Sequence, residues 1–260
     1  MTAPALEARG LCKRFGALVV TEGLDLNLAP GARHALIGPN GAGKTTLVNL
    51  LSGVLRPDAG TIWVFGQEVT SEGPACRTKR GLVRTFQVSS LFPHLTVLEN
   101  IFLAVSEHAE TSFDLWRSAG RQRHLLERSE TILARLRLLN DIERPVSEIA
   151  YGQQRLVEIA IALALEPKVL LLDEPAAGVP GSETDLLLEA VASLPSDIAI
   201  LMIEHDMQMV RRFAQSVSVL VHGRILMTGP PTDVMASPEV RSVYLGETGH
   251  TRFALDRGHA

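Results

Sequence analysis

The stretch GPNGAGKT, residues 38–45, constrains this chain more than any other. It follows the apolar run HALI and precedes TLVNLLSG, so it lies between a strand and a helix. The spacing G-x-x-x-x-G-K-[ST] in that context is that of a loop that cradles phosphate. Its glycines allow backbone N–H groups to turn inward toward phosphate oxygens. Gly38, Pro39, Asn40, Gly41, Ala42 and Gly43 form the cradle, and Thr46 continues the nucleotide-binding segment. Lys44 is placed to meet the β- and γ-phosphates, and the Thr45 hydroxyl to hold Mg²⁺. The competing reading is a glycine-rich turn that merely caps a helix.

The rest of the chain alternates strand and helix patterns. Residues 5–36 read as short strands, and GLDLNLAPGARHALIG alternates around Pro30-Gly31 as a hairpin would. GTIWVFG reads as another strand. From about Ser89 to Asp141 the periodicity is helical, and Pro145 ends that stretch. A helix runs from Gly152 to about Leu165, with Leu156, Ile159, Ala160 and Leu163 on one face. KVLLLDEP reads as a buried strand, ETDLLLEAVASL as a helix, IAILMIEH as a strand and DMQMVRRFA as a helix. SVSVLVHGRILMTG reads as a hairpin turning at His222-Gly223. The pattern predicts an α/β fold with a mainly parallel sheet and a helical lobe inserted after residue 88.

A strand that ends in Asp173 brings a carboxylate beside the Mg²⁺ of a phosphate loop. Glu174 points to the other side, where a water-polarising base belongs. The chain has no N-K-x-D motif for reading guanine. AYGQQR, at the start of the helix after residue 150, joins a glycine to a helix N-terminus, which is a ready anion site.

The ordered set GPNGAGKT, TFQ, AYGQQR, LLLDEP and IEHD resembles the ATP-binding-cassette ATPases, and with Phe15 it spans residues 15–206. The resemblance implies a P-loop NTPase core, an antiparallel β subdomain and an inserted helical lobe. It divides the chain into a core at 1–88 and 156–246, a lobe at 89–155 and a polar tail at 247–260. It also assigns roles. Phe15 in KRFG would stack on adenine. Gln87 would touch Mg²⁺ and the attacking water, so Thr45, Gln87 and Asp173 form the metal set. Glu174, His205 and Gln87 form the catalytic set. Ala150, Tyr151, Gly152, Gln153 and Gln154 match the signature that contacts ATP held by a second subunit, which implies a head-to-tail pair.

Four positions depart from the common pattern. Ala150 replaces a serine, Tyr151 a glycine, Pro180 an Asp or Asn, and Ile161 an arginine. Within the family, RTFQVSSLFPHLTVLENI, AYGQQRLVEIA, DEPAAG, IEHDM and VYLGE are similar to the ATPases of branched-chain amino-acid importers, which are themselves similar to urea and short-amide importers. That kinship implies membrane permease subunits, an indirect solute-binding protein and a place on the cytoplasmic face of the membrane. Val88, Leu91, Phe92 and Leu95 would line the groove that meets the permease, or else pack the lobe's own core. An exporter ATPase shares every catalytic motif, and a soluble cassette clamp is a further alternative.

The 260 residues are 46% hydrophobic, enough for a sizeable core. A net charge of −4 argues against a nucleic-acid surface, and RTKR (77–80) reads as a solvated face. Cys12 and Cys76 have no metal-ligand spacing, and so few cysteines suit a reducing compartment. No run of 18 apolar residues occurs, and the N-terminus lacks the pattern of a secretory signal.

Overall fold

The computed structural model describes residues 3–85, 91–109 and 119–245. The chain opens with two long antiparallel strands, β1 (Leu6–Phe15) and β2 (Leu18–Leu28), followed by β3 (Arg33–Ile37) and helix α1 (Lys44–Ser52). Next come β4 (Ala59–Val64), β5 (Gln67–Glu68), α2 (Pro74–Lys79) and β6 (Leu82–Arg84). Helices α3 (Val97–His108), α4 (Ala119–Arg135) and α5 (Tyr151–Ala164) then pack against one another. The remainder alternates: β7 (Val169–Asp173), α6 (Gly181–Ala192), β8 (Ala199–Ile203), α7 (Met207–Phe213), β9 (Ser216–Val221), β10 (Arg224–Gly229), α8 (Pro231–Ala236) and α9 (Pro238–Leu245).

Two sheets result. One is antiparallel with order β2-β1-β4-β5, and the other has order β10-β9-β3-β8-β7-β6. In the second sheet every neighbour pair is parallel except β9 and the edge strand β10. Every residue of β7 and β8 is buried, as expected of a parallel sheet covered on both faces. Period-2 alternation divides their side chains. Leu171 and Leu201 face α1 and the antiparallel sheet, whereas Leu170, Leu172, Ile200 and Met202 face α5 and α6.

Two expectations fail. The Pro30-Gly31 turn does not close a hairpin: β2 pairs with β1, while β3 pairs with β8 and β9 in the other sheet. Alternation identifies the strands but not their partners, and this turn carries the chain between sheets. The RTKR stretch is not a solvated face throughout. Arg77 is 1% exposed and donates to the carbonyls of Leu50, Leu51, Thr70 and Glu72, capping the C-terminal end of α1. Burial lowers its pKa to about 10, so it stays charged at neutral pH. The turn at His222-Gly223 is as expected: both residues have positive φ, 46° and 77°, the signature of a tight type I′ hairpin turn.

His34 sits inside the parallel sheet with Nε2 2.9 Å from Ser218 Oγ, which in turn contacts Thr228 Oγ1 at 2.7 Å. Burial pushes its pKa down to about 4. The folded state therefore holds His34 neutral over a range where the unfolded chain binds a proton. Its contribution is fully present above the unfolded value near 6.5 and is lost as pH falls toward 4. This amounts to about 3 kcal/mol. Denaturant midpoints measured between pH 7.5 and 5 should fall, and His34→Gln should flatten most of that slope.

Candidate nucleotide site

The site is built by strand register. Leu36 of β3 and Asp173 of β7 both pair with Ile203 of β8, so three parallel strands end level. Gly38, Glu174 and His205 each follow within two residues of that line. Adjacent strands lie roughly 4.8 Å apart, so the loops that leave them share one crevice at the carboxyl edge of the sheet.

The phosphate loop takes the expected form. Gly43, with φ 105°, is the N-cap of α1. A Cβ at Gly43 would come within 2.9 Å of the Val20 carbonyl, and one at Gly38 within 2.2 Å of the Leu220 carbonyl. Close backbone approach therefore excludes any side chain at Gly38, while the left-handed φ favours glycine at 43. Lys44 is buried and donates from Nζ to Gly38 O at 2.7 Å and Pro39 O at 2.9 Å. These bonds hold the ammonium across the loop, where phosphate oxygens can exchange for the carbonyls. Ala42 is buried, Asn40, Gly41 and Thr45 are exposed, and Pro39 and Thr46 are half-buried. Phe15 ends β1 with 47% of its surface exposed, so it is no core aromatic. Lys13 Nζ lies 5.8 Å from the ring centroid, and the hairpin that carries Phe15 touches the phosphate loop through Val20.

Asp173 is buried, and its Oδ2 accepts from Arg84 Nη2 at 2.6 Å. Arg84 Nη1 donates to Asn49 Oδ1 at 2.6 Å, so the guanidinium ties β6, β7 and α1 together. Glu174 follows with φ 47°, a conformation in which a non-glycine residue is strained, and strain of this kind collects at working sites. His205 is exposed. The residue before it, Glu204, is 1% exposed and accepts from the backbone N–H of Ala176, His205 and Asp206. Gln87 and Val88 lie outside the described residues.

The signature region starts α5. Ala150 is the N-cap but has no side-chain acceptor, so only one half of a capping box forms: Gln153 Oε1 accepts from Ala150 N at 3.0 Å. Gln154 Nε2 donates to Ile149 O at 3.2 Å. The Tyr151 hydroxyl accepts from Arg155 Nη2 at 2.7 Å, and Arg155 also reaches Ala177 O at 3.4 Å. The Gly152 N–H already meets an anion within its own chain, donating to Glu183 Oε2 at 2.6 Å. Glu183 lies in the first turn of α6, whose N-cap is Pro180.

Sequence reasoning missed Arg84, Glu204 and Glu183 as contributors. Glu204 stood inside the quoted IEHD and Arg84 immediately before TFQ, and an acidic or basic residue beside a motif was the available signal.

A fold with a phosphate loop, an acidic strand end and a histidine level with it defines a nucleotide-hydrolysing cassette. The family model described as ABC transporter matches residues 21–177. The chain is 39% identical over 254 residues to the high-affinity branched-chain amino acid transport ATP-binding protein LivG of Escherichia coli strain K12, covering 95% of this chain and 100% of that one. It is 37% identical to the corresponding protein BraF of Pseudomonas aeruginosa, with the same coverage. A solved ATP-binding cassette of an ABC transporter in its ADP conformation superposes with TM-score 0.81 at 29% identity, covering 94% of this chain and 100% of that one. A nucleotide-free cassette gives 0.80 at 28%, covering 93% and 98%. The chain belongs to the ABC transporter family and is an ATPase of that class.

The Arg84–Asp173 pair is mostly desolvated, and removing one member of such a pair leaves the other charge uncompensated. Arg84→Ala should cost about 3 kcal/mol in urea unfolding. Arg84→Ala combined with Asp173→Asn should cost less than the sum of the two single changes.

Proposed function

We propose that this chain is the ATP-hydrolysing subunit of a membrane importer whose cargo is branched-chain amino acids. The level ending of β3, β7 and β8 carries the catalytic half of the reading. Kinship with LivG and BraF carries the cargo. In this reading ATP stacks its base on Phe15 and lays its phosphates in residues 38–46. Lys44 exchanges its two loop carbonyls for β- and γ-phosphate oxygens, while the Gly41 and Gly43 amides stabilise the developing charge. Glu174 polarises a water for in-line attack, and His205 orients the γ-phosphate.

Thr45, Asp173 and Gln87 would hold Mg²⁺. The donor set fits a small hard cation, which takes a hydroxyl and one carboxylate and fills its other positions with water and phosphate. Arg84 engages Asp173 Oδ2 and leaves Oδ1 for that purpose. When bound, the ion would neutralise charge on the phosphate oxygens.

Residues 150–154 complete the site of a second cassette. In the single chain Glu183 occupies the Gly152 amide, so pairing requires the γ-phosphate to displace a carboxylate. The core at 1–88 and 156–246 and the lobe at 89–155 are the two bodies of this reading. Helix α5 crosses the boundary between them and packs against α3 and α4 of the lobe and α6 of the core. No helix among the described residues is long and apolar enough to cross a membrane, which fits a peripheral subunit docked on permeases at the cytoplasmic face. Leu91 packs against the lobe core, whereas Phe92 is 56% exposed, so Phe92 is the better candidate for that docking surface.

Glu174→Gln should lower ATP turnover on the order of 10²–10³-fold while keeping ATP binding. The variant should also accumulate an ATP-dependent dimer on size-exclusion chromatography. Adding Glu183→Ala should shift that dimerisation to lower ATP concentration. Near-normal turnover by Glu174→Gln would remove the base from the mechanism. In the reconstituted transporter, Phe92→Asp should abolish cargo uptake and leave basal hydrolysis intact. Equal loss of both would place Phe92 in the fold instead.

A further inference from the structure

Glu204 is the most secluded carboxylate among the described residues, yet no step of the mechanism uses it. It stands between the last residue of β8 and His205. Its Oε1 accepts from Ala176 N at 3.1 Å. Its Oε2 accepts from His205 N at 3.0 Å and Asp206 N at 3.4 Å. The same oxygen lies 3.8 Å from His205 Nδ1, longer than a hydrogen bond but close enough to attract the imidazole when it is protonated. Ala176 belongs to the loop after β7, two residues beyond Glu174. One side chain therefore fastens the loop of the base to the loop of the histidine.

A hydrophobic side chain would fill this depth without the desolvation that a carboxylate suffers. What a carboxylate adds is two acceptor atoms and no donor, which suits three convergent N–H groups. Burial pushes Glu204 above the usual carboxylate range, while the three amides and His205 hold it down.

We propose that Glu204 is a positioning residue for ATP hydrolysis: it fixes the spacing between the Glu174 loop and His205 and orients the imidazole from its Nδ1 side, leaving Nε2 for the γ-phosphate. The proposal rests on the ATPase reading above. It also explains how the strained backbone at Glu174 is held, because the segment just beyond it is pinned from the residue that follows β8.

Glu204→Gln keeps the shape but turns one acceptor into a donor facing N–H groups. The full chain carrying it should lose about tenfold or more in kcat, with the KM for ATP close to that of the native chain and a lowered melting temperature that still leaves the chain folded at the assay temperature. In a His205→Ala background the same change should lower kcat by a smaller factor than in the native chain, because the part that acts through the imidazole is already lost. Unchanged kcat overturns the proposal, as does a fall in kcat that tracks KM, or full additivity with His205→Ala. If Glu204→Gln does not fold, amide exchange in the native chain decides. Protection of Ala176 and His205 N–H comparable to that of β7 and β8 supports the clamp, and exchange at open-loop rates overturns it. A native chain that hydrolyses no ATP takes down both readings, whereas normal native turnover with an equally fast Glu204→Gln removes only the positioning role.

Discussion

Everything chemical in this molecule depends on the register in which β3, β8 and β7 pair. Leu36, Ile203 and Asp173 stand in one row, so the phosphate loop, the acidic pair and the histidine leave the sheet side by side. A slip of one residue would turn Asp173 to the opposite face and break the row. Hydrophobic burial prevents that slip. Both faces of β7 and β8 are covered, with alternate side chains committed to different cores. The parallel sheet is thus a ruler as well as a core, and polar clamps refine what it sets. Arg84 fixes Asp173 against α1, and Glu204 ties the two loops beyond it.

The same loop that carries Glu174 packs against the start of α5. Ala176 is bonded to Glu204, Ala177 O accepts from Arg155, and a side chain at Gly178 would meet the ring of Tyr151 at 3.3 Å. Three residues further on the chain enters α6, where Glu183 accepts from Gly152 N. Glu174, proposed as the base, and the helix start proposed to serve a second site are therefore joined by one short segment. The Pro180 departure lies on this segment and Tyr151 lies against it: Tyr151 supplies the hydroxyl that fixes Arg155, and Pro180 N-caps the helix that carries Glu183.

Much of this was legible in the residues. The phosphate loop, the VLLLDEP strand and the helix start at residue 151 are local patterns, set by glycine geometry and apolar periodicity within a dozen residues. The clamps were not legible, because their partners are far apart in the chain. Arg84 and Asp173 are 89 positions apart, Gly152 and Glu183 are 31, and Ala176 and Glu204 are 28. For the same reason RTKR looked solvated although Arg77 ends beneath α1, and β2 and β3 looked paired although each joins a different sheet.

The central claim is that each ATP is hydrolysed in a site completed by residues 150–154 of a second chain. The dependence of specific ATPase activity on protein concentration tests it most directly. The account predicts that activity per molecule rises with concentration and levels off once pairs dominate. Specific activity that stays constant down to high dilution, with the chain monomeric throughout, would contradict it.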